Sequence, residues 1–92
     1  MNLSYLGLAL RARKLTIGRY ATINGCKRKQ VKLILFARDA SDKLQNEIGI
    51  FSVPMQIVND ANKIMLGKMI NRHEVAVIGI CDDHFVKAIL QK

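Results

Sequence analysis

Few residues in this 92-residue sequence could do chemistry, and they form no catalytic or metal-binding pattern. The histidines, His73 and His84, have no serine or cysteine nucleophile motif and no second metal ligand at a useful spacing. Cys26 and Cys81 form no CxxC motif, so we interpret both as buried thiols. The sequence therefore predicts a protein that is not an enzyme, with no catalytic residues, no metal site and no cofactor.

Two acidic pairs, Asp39 with Asp42 and Asp82 with Asp83, could suggest acid-base catalysis. Both lie at predicted helix starts, where a carboxylate stabilises the helix, and we interpret them as caps. The glycines fit no GxGxxG or P-loop motif, so the sequence predicts no nucleotide hydrolysis and no small-molecule substrate. The four methionines are interpreted as core residues and an initiator.

Basic residues give the strongest indication of function. The chain has 15 Lys and Arg against 7 Asp and Glu, a net charge of +8, and the whole excess precedes the first carboxylate, Asp39. A concentrated positive field attracts polyanions and releases their counterions, so we expect one basic region that binds nucleic acid. The eight early cations are Arg11, Arg13, Lys14, Arg19, Lys27, Arg28, Lys29 and Lys32.

Two other interpretations of the charge fit less well. A surface that only keeps a protein soluble usually intersperses both signs. A membrane-surface helix would place its cations beside Trp or Phe, and the chain has no Trp. The longest apolar stretch, Val75 to Cys81, is far shorter than the roughly 20 residues that cross a bilayer. Because the basic residues follow Leu3 to Leu10, no signal peptide is predicted, and we expect a cytoplasmic protein without a membrane partner.

The segment from Gly18 to Tyr20 offers a more specific site. A glycine that turns the chain sharply before a helix leaves free amides at the helix start, which favour phosphate. Arg19 and Tyr20 would project from that point, and an unpaired base could stack on the Tyr20 ring. Alternatively, the ring packs on the core and exposes only its hydroxyl.

The elements that position these residues alternate between helix and strand. Two apolar runs predict strands that are buried on both faces, and Asn or Asp residues cap the helices. We expect one domain over residues 1–92, an α/β fold with a four-stranded mixed sheet between two helix layers. The predicted strands are Leu15–Ile17, Lys32–Ala37, Pro54–Val58 and Val75–Ile80. The predicted helices begin near Asn2, near Arg19, at Asp39 or Ser41, at Asn59, Asp60 or Asn62, and at Asp82 or Asp83.

Several motifs together resemble a known family. They are Leu6-Gly7-Leu8-Ala9, Lys14-Leu15, Gly18, the strand Lys32 to Ala37 followed by Arg38-Asp39-Ala40-Ser41, Val53-Pro54, Leu66-Gly67-Lys68, and Asp82 to Leu90. The sequence is similar to the ribosomal-protein superfamily of kink-turn RNA binders, L-seven-Ae and L-thirty-e, and to its small bacterial members. The resemblance implies a three-layer α-β-α sandwich. It also implies RNA contacts at the helix start after Gly18 and at the loop Ile70 to Glu74, which carry Arg19 and Arg72.

The sequence departs from the family pattern at the first of these places. Kink-turn binders carry an Asn–Glu pair and a nearby Lys after the glycine, and the matching positions here are Tyr20, Ala21 and Asn24. Ala21 has no polar group that could contact a base edge. In the loop, Asn71 replaces an expected glycine, and asparagine tolerates a left-handed backbone.

The sequence therefore predicts a non-enzymatic RNA-binding module, ribosome-associated, that docks a basic surface on ribosomal or other structured RNA, with ribosomal proteins as further candidate partners. One alternative is a protein-interaction module that kept the fold and exposes an apolar patch. The other is an RNA-recognition partner of a separate modifying enzyme, such as a ribose methyltransferase. The predicted RNA-binding residues are Lys14, Gly18, Arg19, Tyr20, Asn24, Lys27, Arg28, Lys29, Lys32, Arg38, Asn71 and Arg72.

Overall fold

The computed structural model describes residues 1–91. A short 3-10 turn, Leu3–Tyr5, precedes an alternation of helices and strands in the predicted order. The elements are α1 (Leu6–Arg11), β1 (Leu15–Ile17), α2 (Arg19–Lys27), β2 (Leu33–Ala37), α3 (Asp42–Gly49), β3 (Met55–Val58), α4 (Lys63–Lys68), β4 (Val77–Ile80) and α5 (Asp83–Leu90). None of the helices within residues 1–91 is both long and apolar enough to span a bilayer.

Short polar side chains start most of the helices by accepting a hydrogen bond from a first-turn amide. Ser41 accepts from the amide of Leu44 at 3.1 Å. Asn62 accepts from the amide of Met65 at 2.9 Å. Of the alternatives that the sequence offered, Ser41, Asn62 and Asp82 are therefore the caps.

The four strands form one mixed sheet in the order β1-β4-β2-β3. The central strand β4 pairs antiparallel with both β1 and β2, whereas β2 and β3 are parallel. Leu15 and Leu33 are both paired with Ile80, so β1 and β2 begin at the edge of the sheet where β4 ends. This register decides which basic segments meet.

Helices cover both faces of the sheet, which confirms the three-layer α-β-α sandwich. One core cluster lies beneath α1, α4 and α5 and includes Leu35, Ile78 and Ile89. The other lies beneath α2 and α3 and includes Ile34, Phe36 and Val77. β2 and β4 are fully buried because alternate residues of each strand enter the two clusters.

Small residues pack helix α2 closely on the sheet. The hydroxyls of Thr22 and Thr16 hydrogen-bond at 2.9 Å, and Thr22 is fully buried. A Cβ on Gly25 would lie 2.8 Å from Val31 Cγ2, and one on Gly79 would overlap Thr16 Oγ1. Gly25 lowers the intrinsic stability of the helix by about 1 kcal/mol relative to Ala, and this close approach is the reason for a glycine there.

The interpretation of the methionines as core residues is wrong. Met55, Met65 and Met69 are exposed, as is Met1, the expected initiator. On α4, Leu66 carries the packing contact instead, followed by Ile70 just after the helix. The apolar spacing of this segment allowed several neighbouring residues to face inward, and the short helix buries only one line of them.

Candidate nucleic-acid interface

The start of α2 is open to an anion. Gly18 caps this nine-residue helix with φ +86°, and within the described chain no side chain accepts from its first-turn amides. A Cβ on Gly18 would meet no atom within 4 Å, so the glycine is needed for its backbone conformation alone. Free amides and the positive end of the helix dipole at this point favour a phosphate group.

Tyr20 lies on the surface beside Arg19. The Tyr20 side chain is 79% exposed, so the interpretation in which its ring packs on the core is wrong. The guanidinium carbon of Arg19 lies 4.8 Å from the ring centroid, a cation–π contact. One face of the aromatic ring therefore contacts a cation, and the side chain extends into solvent beside the open helix start.

Glu47 of α3 is paired with Arg19. Nε and Nη2 of Arg19 donate to the two carboxylate oxygens of Glu47, a bidentate pair. The hydrogen bond from Arg19 lowers the pKa of Glu47, and the hydrogen bond to Glu47 raises the pKa of Arg19. Both groups are therefore charged at neutral pH, and Glu47 places a negative charge next to the predicted phosphate site.

The loop between α4 and β4 is fixed by backbone contacts. The amide of Arg72 donates to the carbonyl of Gly67 at 2.8 Å, and the amide of Val75 donates to the carbonyl of Lys63 at 3.0 Å. A Cβ on Gly67 would lie 2.7 Å from the Cα of Glu74, so only glycine lets the loop approach α4 this closely. Asn71 has φ +58°, which confirms the predicted left-handed conformation.

The open helix start and this loop meet at one edge of the sheet. The Gly18 amide donates to Val77 O at 3.0 Å, and the Ala37 amide donates to Ala76 O at 2.9 Å. Residues that follow β1 and β2 therefore adjoin the start of β4 and Ala76, the last residue of the loop that precedes it. We call this surface the glycine end, and it comprises Gly18, Arg19, Tyr20, Arg38, Asn71 and Arg72.

The opposite edge of the sheet collects most of the other cations. Lys14 and Lys32 flank the end of β4, since the carbonyl of Lys14 accepts from the Cys81 amide at 2.8 Å and the Lys32 amide donates to Ile80 O at 2.7 Å. A groove of about 370 Å³ lies there, lined by Arg13, Lys14, Leu15, Thr16, Lys29, Gln30, Lys32 and Cys81. We call this surface the cysteine end, and it comprises Arg13, Lys14, Lys27, Arg28, Lys29, Lys32 and Cys81.

The structure corrects the expectation of a single basic region. Arg19 lies at the glycine end, whereas the other early cations end or follow α1, or lie at and after the end of α2. Along β1, Lys14 and Gly18 are separated by about 13 Å at about 3.3 Å per residue. Among the lysines and arginines of residues 1–91, only Arg19 forms an ion pair with a carboxylate. The cations of the cysteine end therefore keep their charge available for an outside partner.

The cysteines and histidines of the described chain behave as structural or surface residues. Cys26 is buried as predicted, but Cys81 is only partly buried, so that part of the interpretation is wrong. Burial raises the pKa of both thiols, and nearby Lys14 and Lys32 only partly oppose this at Cys81. His73 and His84 are exposed. Within residues 1–91, no three His, Cys, Asp or Glu side chains gather as a metal site.

Two functional contacts could not be predicted from the sequence because they join distant segments. Glu47 was not considered, although it pairs with Arg19, 28 residues away. Asp39 does not cap α3, because its Oδ1 accepts from the amide of Lys63 at 2.8 Å and so supports α4 and the loop after it. No local pattern indicates either contact.

The fold and this surface together define a class of protein: a small α-β-α sandwich that presents an open helix start and a fixed loop at one edge of its sheet. The family model described as "Ribosomal protein L7Ae/L30e/S12e/Gadd45 family" matches residues 3–89, and the chain belongs to this family.

Known proteins of the same kind match over nearly the whole chain. The RNA-binding protein YlxQ of Bacillus subtilis (strain 168) is 29% identical over 89 residues, which cover 92% of this chain and 87% of YlxQ. A Bacillus halodurans protein described as of unknown function matches with a TM-score of 0.84 and 34% identity, covering 95% of this chain and 90% of its own. The Giardia lamblia 15.5kD RNA binding protein has a TM-score of 0.71 at 16% identity, with 95% and 76% covered, and supports the fold alone.

Proposed function

We propose that this protein is a non-enzymatic RNA-binding module that docks on structured RNA through the glycine end. Membership of the family and the similarity to an RNA-binding protein support this function. The observation that carries it is the uncapped start of α2, where Arg19 and the exposed ring of Tyr20 lie beside free amides. An open anion site next to an aromatic ring suits a phosphate and its neighbouring base.

Each predicted residue has a role in this proposal. Gly18 and Asn71 set the backbone conformations of the helix start and the loop. Tyr20 and Asn24 contact bases, since both are exposed and lie four residues apart on one helix face. At the glycine end, the residues proposed to contact the phosphate backbone are Arg19, Arg38 and Arg72. The other predicted phosphate contacts lie at the cysteine end; they are Lys14, Lys27, Arg28, Lys29 and Lys32.

Salt dependence tests this proposal directly. With about six phosphate contacts, the affinity for RNA should fall about 10³-fold between about 50 and 200 mM salt. Fluorescence anisotropy with a labelled RNA hairpin measures this, and a protein carrying Arg19→Glu and Arg72→Glu provides the comparison. An affinity that does not change with salt, or that the double variant leaves intact, contradicts RNA binding at the glycine end.

The RNA that the protein meets in cells is proposed to be ribosomal and cytoplasmic. Sequencing the RNA that is crosslinked to the protein tests this assignment. Crosslinks concentrated in ribosomal RNA support it, and crosslinks to other transcripts contradict it. The same crosslinked peptides would show whether Tyr20 contacts a base.

The alternative of a protein-interaction module has one observation in its favour. Met65 and Met69 are exposed and lie four residues apart, and Met69 follows α4 directly before the loop. Under this alternative, replacing both by Ser abolishes partner binding, whereas replacing Lys27, Arg28 and Lys29 by Glu leaves it unchanged. The opposite pattern supports RNA binding.

A further inference from the structure

The groove at the cysteine end concentrates positive charge. Four cations line it, Arg13, Lys14, Lys29 and Lys32, and the lining contains no carboxylate among the described residues. Asp82 is close enough for the positive charge of Lys14 to help lower the pKa of its carboxyl group. Its carboxylate, however, accepts a hydrogen bond from the His84 amide at 2.8 Å and belongs to the start of α5. The groove is therefore a cationic surface that lacks an internal partner.

The exposed face of α2 connects this groove to the glycine end. Tyr20, Asn24 and Arg28 are spaced four residues apart, so they lie in one row along the helix axis. All three are exposed, as is Lys27 beside them. The row is about 12 Å long at 1.5 Å per residue. The row itself contains no acidic residue. Glu47 of α3, which is paired with Arg19, lies beside its start.

We propose that the groove at the cysteine end is a second phosphate-binding site, and that a single RNA runs along the exposed face of α2 from the glycine end into this groove. This proposal rests on the proposed function and extends it to a footprint that spans the molecule. A single RNA is favoured over two because the row between the ends is short and exposed, and none of its own residues carries a carboxylate.

The two ends attract phosphate in different ways. At the glycine end, backbone amides at the start of α2 point outward and add to the side-chain charge. At the cysteine end, α2 terminates, and its carbonyls contribute negative rather than positive partial charge. Attraction in the groove therefore comes from side-chain charge alone, which depends on counterion release and carries no base specificity.

A matched pair of charge reversals tests the groove. Lys32 lines it, whereas Lys87 is also an exposed lysine but lies on α5, outside the proposed footprint. The probe is an RNA hairpin with a stem of about ten base pairs, about 30 Å at roughly 3 Å per pair, which exceeds the 28 Å longest dimension of the protein. Lys32→Glu should lower its affinity about tenfold and make the salt dependence shallower by about one contact, while Lys87→Glu changes neither.

Cys81 provides a second measurement on the unmodified protein. It lines the groove and is partly exposed, whereas Cys26 is buried in the core. Saturating hairpin should slow the alkylation of Cys81 by iodoacetamide, a neutral reagent, as followed by peptide mass spectrometry. Cys26 provides the internal reference, since a general stabilisation of the fold by RNA would slow both thiols together.

The outcomes separate this proposal from the one on which it rests. Equal affinities of Lys32→Glu and Lys87→Glu for the hairpin overturn the proposed phosphate site in the groove. Alkylation of Cys81 at an unchanged rate in the complex also overturns it. If Arg19→Glu with Arg72→Glu still abolishes binding in that case, the proposed function stands without the groove. Two hairpins bound per protein in native mass spectrometry overturn the single continuous footprint.

Discussion

The side chains proposed to contact RNA lie outside the core, so their substitution separates binding from folding. Tyr20 is the clearest example, because its ring contacts Arg19 and solvent rather than the buried clusters. A residue in this position contributes little to the stability of the chain. A loss of RNA affinity on its removal therefore reports a direct contact.

We expect Tyr20→Ala to weaken RNA binding by about 1 to 3 kcal/mol, the usual contribution of one base stacked on an aromatic ring. Tyr20→Phe should bind nearly as well as the parent protein, because it keeps the ring. Anisotropy titrations measure the affinities, and thermal unfolding should show that both variants remain folded. Equal losses for Ala and Phe would point to the hydroxyl group and contradict stacking.

Removing the charge of Glu47 should raise RNA affinity rather than lower it. Its carboxylate neutralises Arg19 and would repel a phosphate at the start of α2, so Glu47→Gln should raise RNA affinity about threefold at low salt. Glu47→Asp keeps the charge and should show no such gain. A lower affinity of the Gln variant would mean that Glu47 is needed to position Arg19, contrary to this expectation.

At the scale of the elements, the contact between α4 and the loop before β4 determines the shape of the glycine end. Gly67→Ala places a Cβ against the backbone of Glu74 and Arg72, which cannot rotate away as a side chain could. We expect a loss of about 1 to 3 kcal/mol in the free energy of unfolding, together with weaker RNA binding because the loop shifts.

Gly7→Ala is the matched control for this substitution. It lies on α1, where a Cβ would come no closer than 3.9 Å to Met69 O. Alanine there should leave stability unchanged or raise it by up to about 1 kcal/mol, since it favours the helix. Chemical denaturation measures both variants. Equal effects of Gly67→Ala and Gly7→Ala would exclude the close approach as the reason for Gly67.

The cap of α5 should make stability depend on pH. Asp82 accepts from the amides of His84 and Phe85, and the hydrogen bond from His84 is the main reason that its pKa is lowered. The folded state therefore prefers the ionised form. This contribution is fully present above the ordinary pKa of aspartate, near 3.9, and is lost as the pH falls through the lowered pKa of the folded state.

Melting temperatures of the parent protein and Asp82→Asn test this sign. Asparagine still caps the helix but carries no charge. The parent protein should melt higher at neutral pH, and the difference should disappear in acid. A difference that is the same at all pH values would contradict the titration of Asp82. Asp82→Ala should melt lowest near neutrality because it loses the cap itself.

The elements themselves could be predicted largely from local sequence. Capping residues and two fully apolar runs indicated the starts of helices and the positions of β2 and β4 within a few residues. The exposure of Met65 and Met69 could not be predicted, because it depends on which side of a six-residue helix meets the sheet. The contact of Asp39 with the Lys63 amide could not be predicted either, since the two residues are 24 positions apart.

At the scale of the whole molecule, the excess of positive charge could be predicted from the sequence, but its distribution over the surface could not. The sequence shows that nine cations, the eight early ones and Arg38, precede every carboxylate, but not where strand pairing places them. Because strands β1 and β2 both begin beside the end of β4, the segments before them meet, whereas Arg19 emerges at the opposite edge. The motifs of the family indicated the glycine end, and only the sheet register shows the cysteine end.

The tight seating of α2 on the sheet has a consequence for any partner. Gly25 packs this helix closely against Thr16 and Val31, and the Thr16–Thr22 hydrogen bond joins it to β1, so a shift of the helix on the sheet would break these contacts. The distance between the two ends of α2 is therefore set by its packing on the sheet. A nucleic acid whose phosphates are spaced differently has to bend in order to contact both ends. Its deformability therefore helps to determine how tightly it binds.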